Sequence, residues 1–348
     1  MVNMKILVLG TGSIGKRHIA NLLSAGVQVL SYSYRASTLG ADTNPIDARV
    51  TRLADLSAAL ASDADAVVVA NRTDQHMEVA LLAAKHKKHL FLEKPLSVSL
   101  SGTNELERLV AQQQLVVEAG FMLRFHPNLL WIQQFLNSGA LGDIMHMRAA
   151  VGQWLPDWRP GTDHRQGYGA FKATGGGVVF DLIHELDLVH WLLGPVEDVT
   201  AMTQNVASLD IETEGIAQIG LRLASGALAQ VHLDYVRPGY GREMEIVGRR
   251  GVLRWDYVQG LVTLQKATGS IETMHQVPAT FERNTMFQQH MAYFLKRIQQ
   301  PEIAAASPLA DALAVLKVAL AAHESAATRC CVRPLTLHTS SDLKMNSL

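Results

Sequence analysis

Cysteine is nearly missing from this chain: there are two, Cys330 and Cys331, and they are neighbours. Adjacent thiols cannot make a disulfide framework, so the sequence reads as that of a protein from a reducing, cytoplasmic compartment. Long apolar runs are missing too. No stretch approaches the roughly 20 residues that a membrane-spanning helix needs. The start, Met1-Val2-Asn3-Met4-Lys5-Ile6, runs straight into a strand-like segment without the apolar run and cleavage site of a secretory leader. Neither sign of charge is in excess. With 31 Lys and Arg against 32 Asp and Glu, the formal net charge is -1, which favours neither nucleic acid nor an acidic partner. No internal repeat or low-complexity segment interrupts the 348 residues, and that length predicts two domains rather than one.

What is present first is a β-α rhythm. Lys5–Gly10 (KILVLG) is a continuous apolar run ending in glycine, as expected of a strand buried on both faces. A helix at Ile14–Ser24 and a strand at Val27–Tyr34 follow, then helix Leu56–Ser62, strand Ala66–Ala70 and helix Gln75–His86. Strand His89–Leu92, helix Leu100–Gln113 and strand Leu115–Ala119 complete the set. This alternation predicts an α/β, doubly wound parallel sheet over residues 1–120.

The remainder has a different texture. A helix at Asn128–Ser138 and an extended run at Ile144–Val151 lead into a polar, aromatic loop, Gln153–Ala173. A helix is expected over Gly176–Leu193. Extended runs then recur at Val199–Ala207, Ile216–Leu223, Ala227–Leu233, Arg242–Gly248, Gly251–Asp256 and Leu261–Lys266, separated by turn residues. Their spacing predicts a large, mostly antiparallel sheet in an α+β domain at 121–337, closed by helices at Phe281–Gln299 and Pro308–Thr328. A polar tail occupies 338–348.

The chemistry begins with Gly10-Thr11-Gly12-Ser13-Ile14-Gly15, set between a strand and a helix, the context in which this motif carries meaning. Gly10 permits the tight turn, Gly12 lets backbone approach a pyrophosphate, and Gly15 lets the helix pack on the strand. The helix start at Ser13 and Ile14 offers its N–H groups to the phosphates. At the end of the second strand, Ser31-Tyr32-Ser33-Tyr34-Arg35 has no carboxylate to hold a ribose diol. Tyr34 and Arg35 suit a 2′-phosphate, so NADP is expected ahead of NAD. Lys94, between Glu93 and Pro95, sits where such a sheet presents its substrate and can stabilise a developing alkoxide. Asp181 and His184 are three apart on the expected helix, so the carboxylate could orient the imidazole for proton transfer. Glu185 and Asp187 are assigned to the helix surface or to domain contacts. His190 follows His184 by six residues, too far round a helix to share a metal, and no metal is expected.

The fingerprint, Glu93-Lys94-Pro95, Gly120 with Arg124-Phe125-His126-Pro127, the GGG-x3-D-x2-H-x2-D run from Gly175 to Asp187, and Glu324-Ser325-Ala326 together resemble the Gfo/Idh/MocA oxidoreductases. The resemblance covers nearly the whole chain. It implies a Rossmann domain followed by an α/β domain whose open sheet often makes oligomer contacts, hence a homodimer or homotetramer. It also implies hydride transfer between NAD(P) and a hydroxyl or ketone of a sugar, inositol or related polyol, with Lys94 catalytic and His184 near the reacting carbon. Asn71, Thr73, His76 and Glu93 would then lie on the cofactor side, and Arg124, Arg159, Asp163, Tyr168 and Lys172 would grip the substrate. Two positions depart from the family pattern: Phe180 stands where the helix aspartate usually lies, and Asn71-Arg72-Thr73 replaces Thr-Pro-Asn. The loop W-x-P-x-W-R-P-G-x-D, Trp154 to Asp163, is similar to a branch working on surface-carbohydrate and acidic sugars, and leans the substrate toward an amino sugar or nucleotide sugar. Two other readings stay open: a glycosidase that oxidises transiently with NAD and cleaves by elimination, and a non-catalytic nucleotide sensor.

Overall fold

In a computed structural model the described residues are 4–33, 47–159 and 161–334. Tyr34, Arg35 and the polar tail lie outside them. The chain forms two compact units: residues up to Met122 with Glu282–Ala312, and Leu123–Phe281 with the chain from Leu313.

In the first unit, strands β1 (Lys5–Leu9), β2 (Gln28–Tyr32), β3 (Thr51–Arg52), β4 (Ala66–Val69), β5 (His89–Leu92) and β6 (Val117–Ala119) pair in parallel, in the order β3-β2-β1-β4-β5-β6. The continuous apolar runs of β1 and β4 follow from burial on both faces: Ile6, Leu7, Val8, Leu9 and Ala66 to Val69 are all fully buried. Chain order reverses between β1 and β4, the point where a sheet of this kind leaves a crevice at the carboxyl ends of its strands. The loops leaving β1 and β4 there are Gly10–Gly12 and Ala70–Arg72.

One boundary differs from expectation. Residues 121–337 read as one domain, yet helix Arg283–Gln299 places Met291 and Phe294 in the same core as Ile6, Val8, Ile19, Leu22 and Phe91 of the first unit. An amphipathic helix shows which of its faces is buried, but not which sheet it covers.

The second unit is built on an eight-stranded sheet of order β14-β13-β12-β11-β7-β10-β9-β8. Its strands are β7 (Ile144–Gly152), β8 (Val196–Gln204), β9 (Ile216–Leu223), β10 (Leu228–Asp234), β11 (Gly241–Gly248), β12 (Gly251–Asp256), β13 (Leu261–Lys266) and β14 (Ile271–Gln276). All neighbours are antiparallel except β7 and β10, which run parallel from His146↔Leu228 to Gly152↔Asp234. Alternation sorts the faces: Ala217, Ile219, Leu221, Ala229, Val231, Leu233, Met244 and Ile246 are buried, while Gln218, Gln230 and Glu245 point the other way. Strand β14 has no strong apolar alternation and was not expected.

The expected helix Gly176–Leu193 is two helices, Val178–Asp181 and His184–Leu193, broken at Leu182-Ile183. Asp181 therefore ends one helix and His184 begins the next, and the spacing argument for one shared helical face does not apply. The break puts the imidazole and the carboxylate at helix termini packed on the buried face of the sheet, near β7, β9 and β10. Among the described residues no helix is long and apolar enough to cross a membrane.

Candidate active site

The first unit carries the nucleotide elements. Gly10 has a left-handed φ of 103°, and a Cβ there would come within 2.5 Å of the Ala70 carbonyl oxygen. At Gly15 a Cβ would overlap the Gly10 carbonyl, so helix Ser13–Ser24 can approach β1 only with glycine at that place. Around Gly12 nothing lies within 4 Å of a Cβ position. The helix that starts there has no side-chain cap and no acidic residue in its first turn. Its first N–H groups have no side-chain acceptor at the cap, and its partial positive charge is unopposed by an acidic residue in the first turn, as suits a pyrophosphate. Ser31, Tyr32 and Ser33 bring no carboxylate to the end of β2, and Ser33 Oγ accepts a hydrogen bond from Thr11 Oγ1 at 2.9 Å.

On the other side of the crevice, Asn71 is half-buried and its buried Oδ1 makes no hydrogen bond. An acceptor left in that state suits a ribose hydroxyl. Thr73 is buried in the turn that follows. His76, expected against the cofactor, is 3% exposed, with Nδ1 2.8 Å from the Pro95 carbonyl and Nε2 3.0 Å from the Asn71 carbonyl. Burial lowers its pKa despite the two carbonyls that favour the charged ring. Both ring nitrogens face backbone carbonyls, and the neutral ring donates its one N–H to only one of them. Glu93 is committed. Its Oε1 lies 2.7 Å from His18 Nε2, and its Oε2 accepts the Lys94 backbone N–H at 3.2 Å. Burial alone would raise this carboxyl; the His18 bond and the Lys94 charge outweigh it and hold the group below its usual range. Lys94 itself follows β5 at the carboxyl edge of the sheet, half-buried, before a cis peptide bond to Pro95.

The second unit holds the other expected groups. His184 is 4% exposed, the first residue of its helix. Asp181 receives two phenolic hydrogen bonds, from Tyr168 at 2.9 Å on Oδ1 and from Tyr235 at 2.6 Å on Oδ2. The Asp181 charge and then burial raise the Tyr168 pKa; burial and then Asp181 raise that of Tyr235. Both phenols thus remain donors. The Arg159 guanidinium lies 5.4 Å from the centre of the Tyr168 ring and is exposed, and Lys172 is exposed on a nearby turn.

Several assignments change here. Arg124, expected to grip substrate, is 3% exposed and clasps the fully buried Asp187, Nη2 on Oδ1 at 2.5 Å and Nε on Oδ2 at 3.2 Å. Asp187 and Glu185, assigned to the helix surface or to domain contacts, are both buried, and each is paired with an arginine of the second unit. Glu185 approaches Arg242 Nε at 2.7 Å, outside hydrogen-bonding angles, and accepts from its Nη2 at 3.3 Å. Asp163 is held by Arg165 through two side-chain hydrogen bonds of 2.9 Å, which lower its pKa to about 2. The pair clasps the loop at Asp163, which stays exposed. His126 caps helix Pro127–Asn137, and burial, with Arg242 and His275 nearby, lowers it to about 4. Among the described residues no cluster of three or more His, Cys, Asp or Glu is gathered as for a metal ion.

Residues 4–121 match the family model of an oxidoreductase family with an NAD-binding Rossmann fold, and 129–254 match the GFO/IDH/MocA C-terminal domain. Inositol 2-dehydrogenase 2 of Saccharopolyspora erythraea is 30% identical over 268 residues, 72% of each chain. The chain belongs to the Gfo/Idh/MocA oxidoreductases. The myo-inositol 2-dehydrogenase of Thermotoga maritima is 28% identical over 278 residues, 74% of this chain and 76% of that one. Levoglucosan dehydrogenase in complex with NADH has the same fold, with a TM-score of 0.81, 20% identity and coverage of 95% of this chain and 99% of that one.

Two groups in this family member escaped sequence reasoning. Tyr235 directly follows β10, with no local signal that it reaches Asp181, 54 residues away. His18 did leave a trace: it is a polar residue four after Ile14 on the helix face that buries Gly15, Ile19 and Leu22.

Proposed function

We propose that this NAD-binding oxidoreductase moves hydride between its dinucleotide and a CH–OH carbon of a sugar, amino sugar or nucleotide sugar, and that it prefers NADP. The observation that carries the reading is the uncapped helix start at Gly12, followed in the same unit by Lys94 at the carboxyl edge of the sheet. In the oxidising direction the carbon loses a hydride and its hydroxyl a proton, leaving a ketone. The bound dinucleotide supplies the hydride acceptor, or the donor in reverse. Lys94 Nζ, as the neutral amine, takes the hydroxyl proton, and the ammonium so formed hydrogen-bonds the ketone oxygen and is the proton donor in reverse. His184 serves as the second acid–base group. Asp181, kept in place by two tyrosines, supplies a fixed negative charge. Arg159, Tyr168 and Lys172 remain as substrate contacts. Relatives named for inositol and levoglucosan support a substrate rich in hydroxyls.

Incubating the purified protein with NAD or NADP and, in turn, myo-inositol, levoglucosan and UDP-N-acetylglucosamine should yield reduced nicotinamide and an equal amount of ketone with at least one of them. Cleavage of an aryl glycoside without net cofactor reduction would move the chain to the elimination chemistry instead.

NADP preference is supported by the missing carboxylate at Ser31-Tyr32-Ser33 and by Arg35 just beyond. Fluorescence titration should give tighter binding of NADPH than of NADH. The change Arg35→Asp should reverse the order, because a 2′-phosphate would lose a cation and meet a like charge. Equal or stronger binding of NADH by the unmodified protein removes the preference.

A further inference from the structure

Lys94 belongs to a segment that is tied to the nucleotide-binding helix by a buried contact across 75 residues of sequence. His18 is 1% exposed and lies one turn beyond the glycine fingerprint. Its ring packs edge-on to Phe91 at 5.1 Å and to Phe287 at 6.4 Å, which fixes its plane. Nε2 meets Glu93 Oε1 at 2.7 Å, while the buried Nδ1 has no partner. A ring proton on Nδ1 would find no acceptor, so it belongs on Nε2, donated to the carboxylate. The other carboxylate oxygen accepts the Lys94 N–H. Gly120 closes the arrangement: a Cβ there would come within 2.8 Å of Glu93 Oε2.

A buried carboxylate is costly unless its acceptors are satisfied, and an apolar side chain would fill this space at less cost. Glu93 has both oxygens engaged by the chain itself, which argues against a direct role on the nucleotide. We infer that His18 is a positioning residue for Lys94, acting from the phosphate-binding helix through the Glu93 carboxylate and the Lys94 backbone N–H. One helix then carries both the open pyrophosphate cradle and the anchor of the segment that delivers the amine.

This inference rests on the reading of Lys94 as the proton-transferring group, and the test separates the two. His18→Leu removes the donor, whereas His18→Gln keeps an N–H that can reach Glu93. His18→Leu should lower kcat by roughly 10–100-fold, the scale of a catalytic group held about 1 Å out of place. NADH affinity by fluorescence should be nearly unchanged, and His18→Gln should recover most of the loss. Amide exchange in the peptide containing Phe91–Lys94 should quicken in His18→Leu and not in His18→Gln. In a Lys94→Met background His18→Leu should cost no further activity, because it acts only through that amine. A purely structural His18 would lower both backgrounds alike and overturn the inference, as would a kcat for His18→Leu near that of the unmodified enzyme. If His18→Leu does not fold, Glu93→Gln replaces it. An amide accepts one hydrogen bond and points a donor at the other N–H, so the same loss in kcat is expected, and an unchanged kcat overturns the inference. Should Lys94→Met itself turn over normally, the reading of Lys94 fails, whatever His18 does.

Discussion

Lys94→Met should lower turnover by roughly 10²–10⁴-fold, the range of general acid–base groups, while cofactor affinity stays nearly constant. In free energy this is about 3–5 kcal/mol of transition-state stabilisation. Methionine keeps the length and most of the apolar stem, so packing after β5 should survive; what disappears is the group that takes a proton from the substrate hydroxyl. The measurement is kcat beside the Kd of reduced cofactor, with a substrate identified by the screen above. A loss confined to KM would mean that the amine only binds. Activity within a few-fold of the unmodified enzyme would remove Lys94 from the mechanism.

Arg124→Met should lower stability by about 3–5 kcal/mol, because it removes the bidentate cation from a carboxylate that has no access to solvent. Against a total of about 5–15 kcal/mol for a domain, such a loss is severe. Changing both partners, Arg124→Met with Asp187→Leu, should recover much of it, since apolar side chains of similar volume pay no desolvation penalty. Urea unfolding of the single and double variants decides the matter. If Arg124→Met proves as stable as the parent and instead raises KM, the guanidinium is a substrate group after all, and the first reading of this residue was right.

The contrast between Lys94 and Arg124 marks where local reading reaches its limit. Lys94 could be placed from its neighbours because the end of a short apolar strand and a following proline are local features. Arg124 lies in an equally distinctive segment, yet its partner is 63 residues away, and nothing in that segment says whether its charge meets a ligand or a buried aspartate. The same holds for Glu93 with His18, Glu185 with Arg242, and Asp181 with Tyr235. In each pair the residue was noticed and the partner was not. Asp163 shows a milder form of the problem, since Arg165 sits two residues on and the loop turn alone decides that they clasp.

By itself the sequence determined the parallel sheet, its glycine turn, the helix that follows and the mostly antiparallel second sheet. Each of these rests on periodicity, glycine conformation or turn chemistry within a few residues. Tertiary structure decided that helix Arg283–Gln299 completes the first core, that Leu182-Ile183 breaks the helix carrying Asp181 and His184, and which charged groups are paired and buried. Burial and ion pairing depend on distances between residues far apart in the chain, and a charge that reads as free in sequence is neutralised or left available only when the fold brings its neighbours into place.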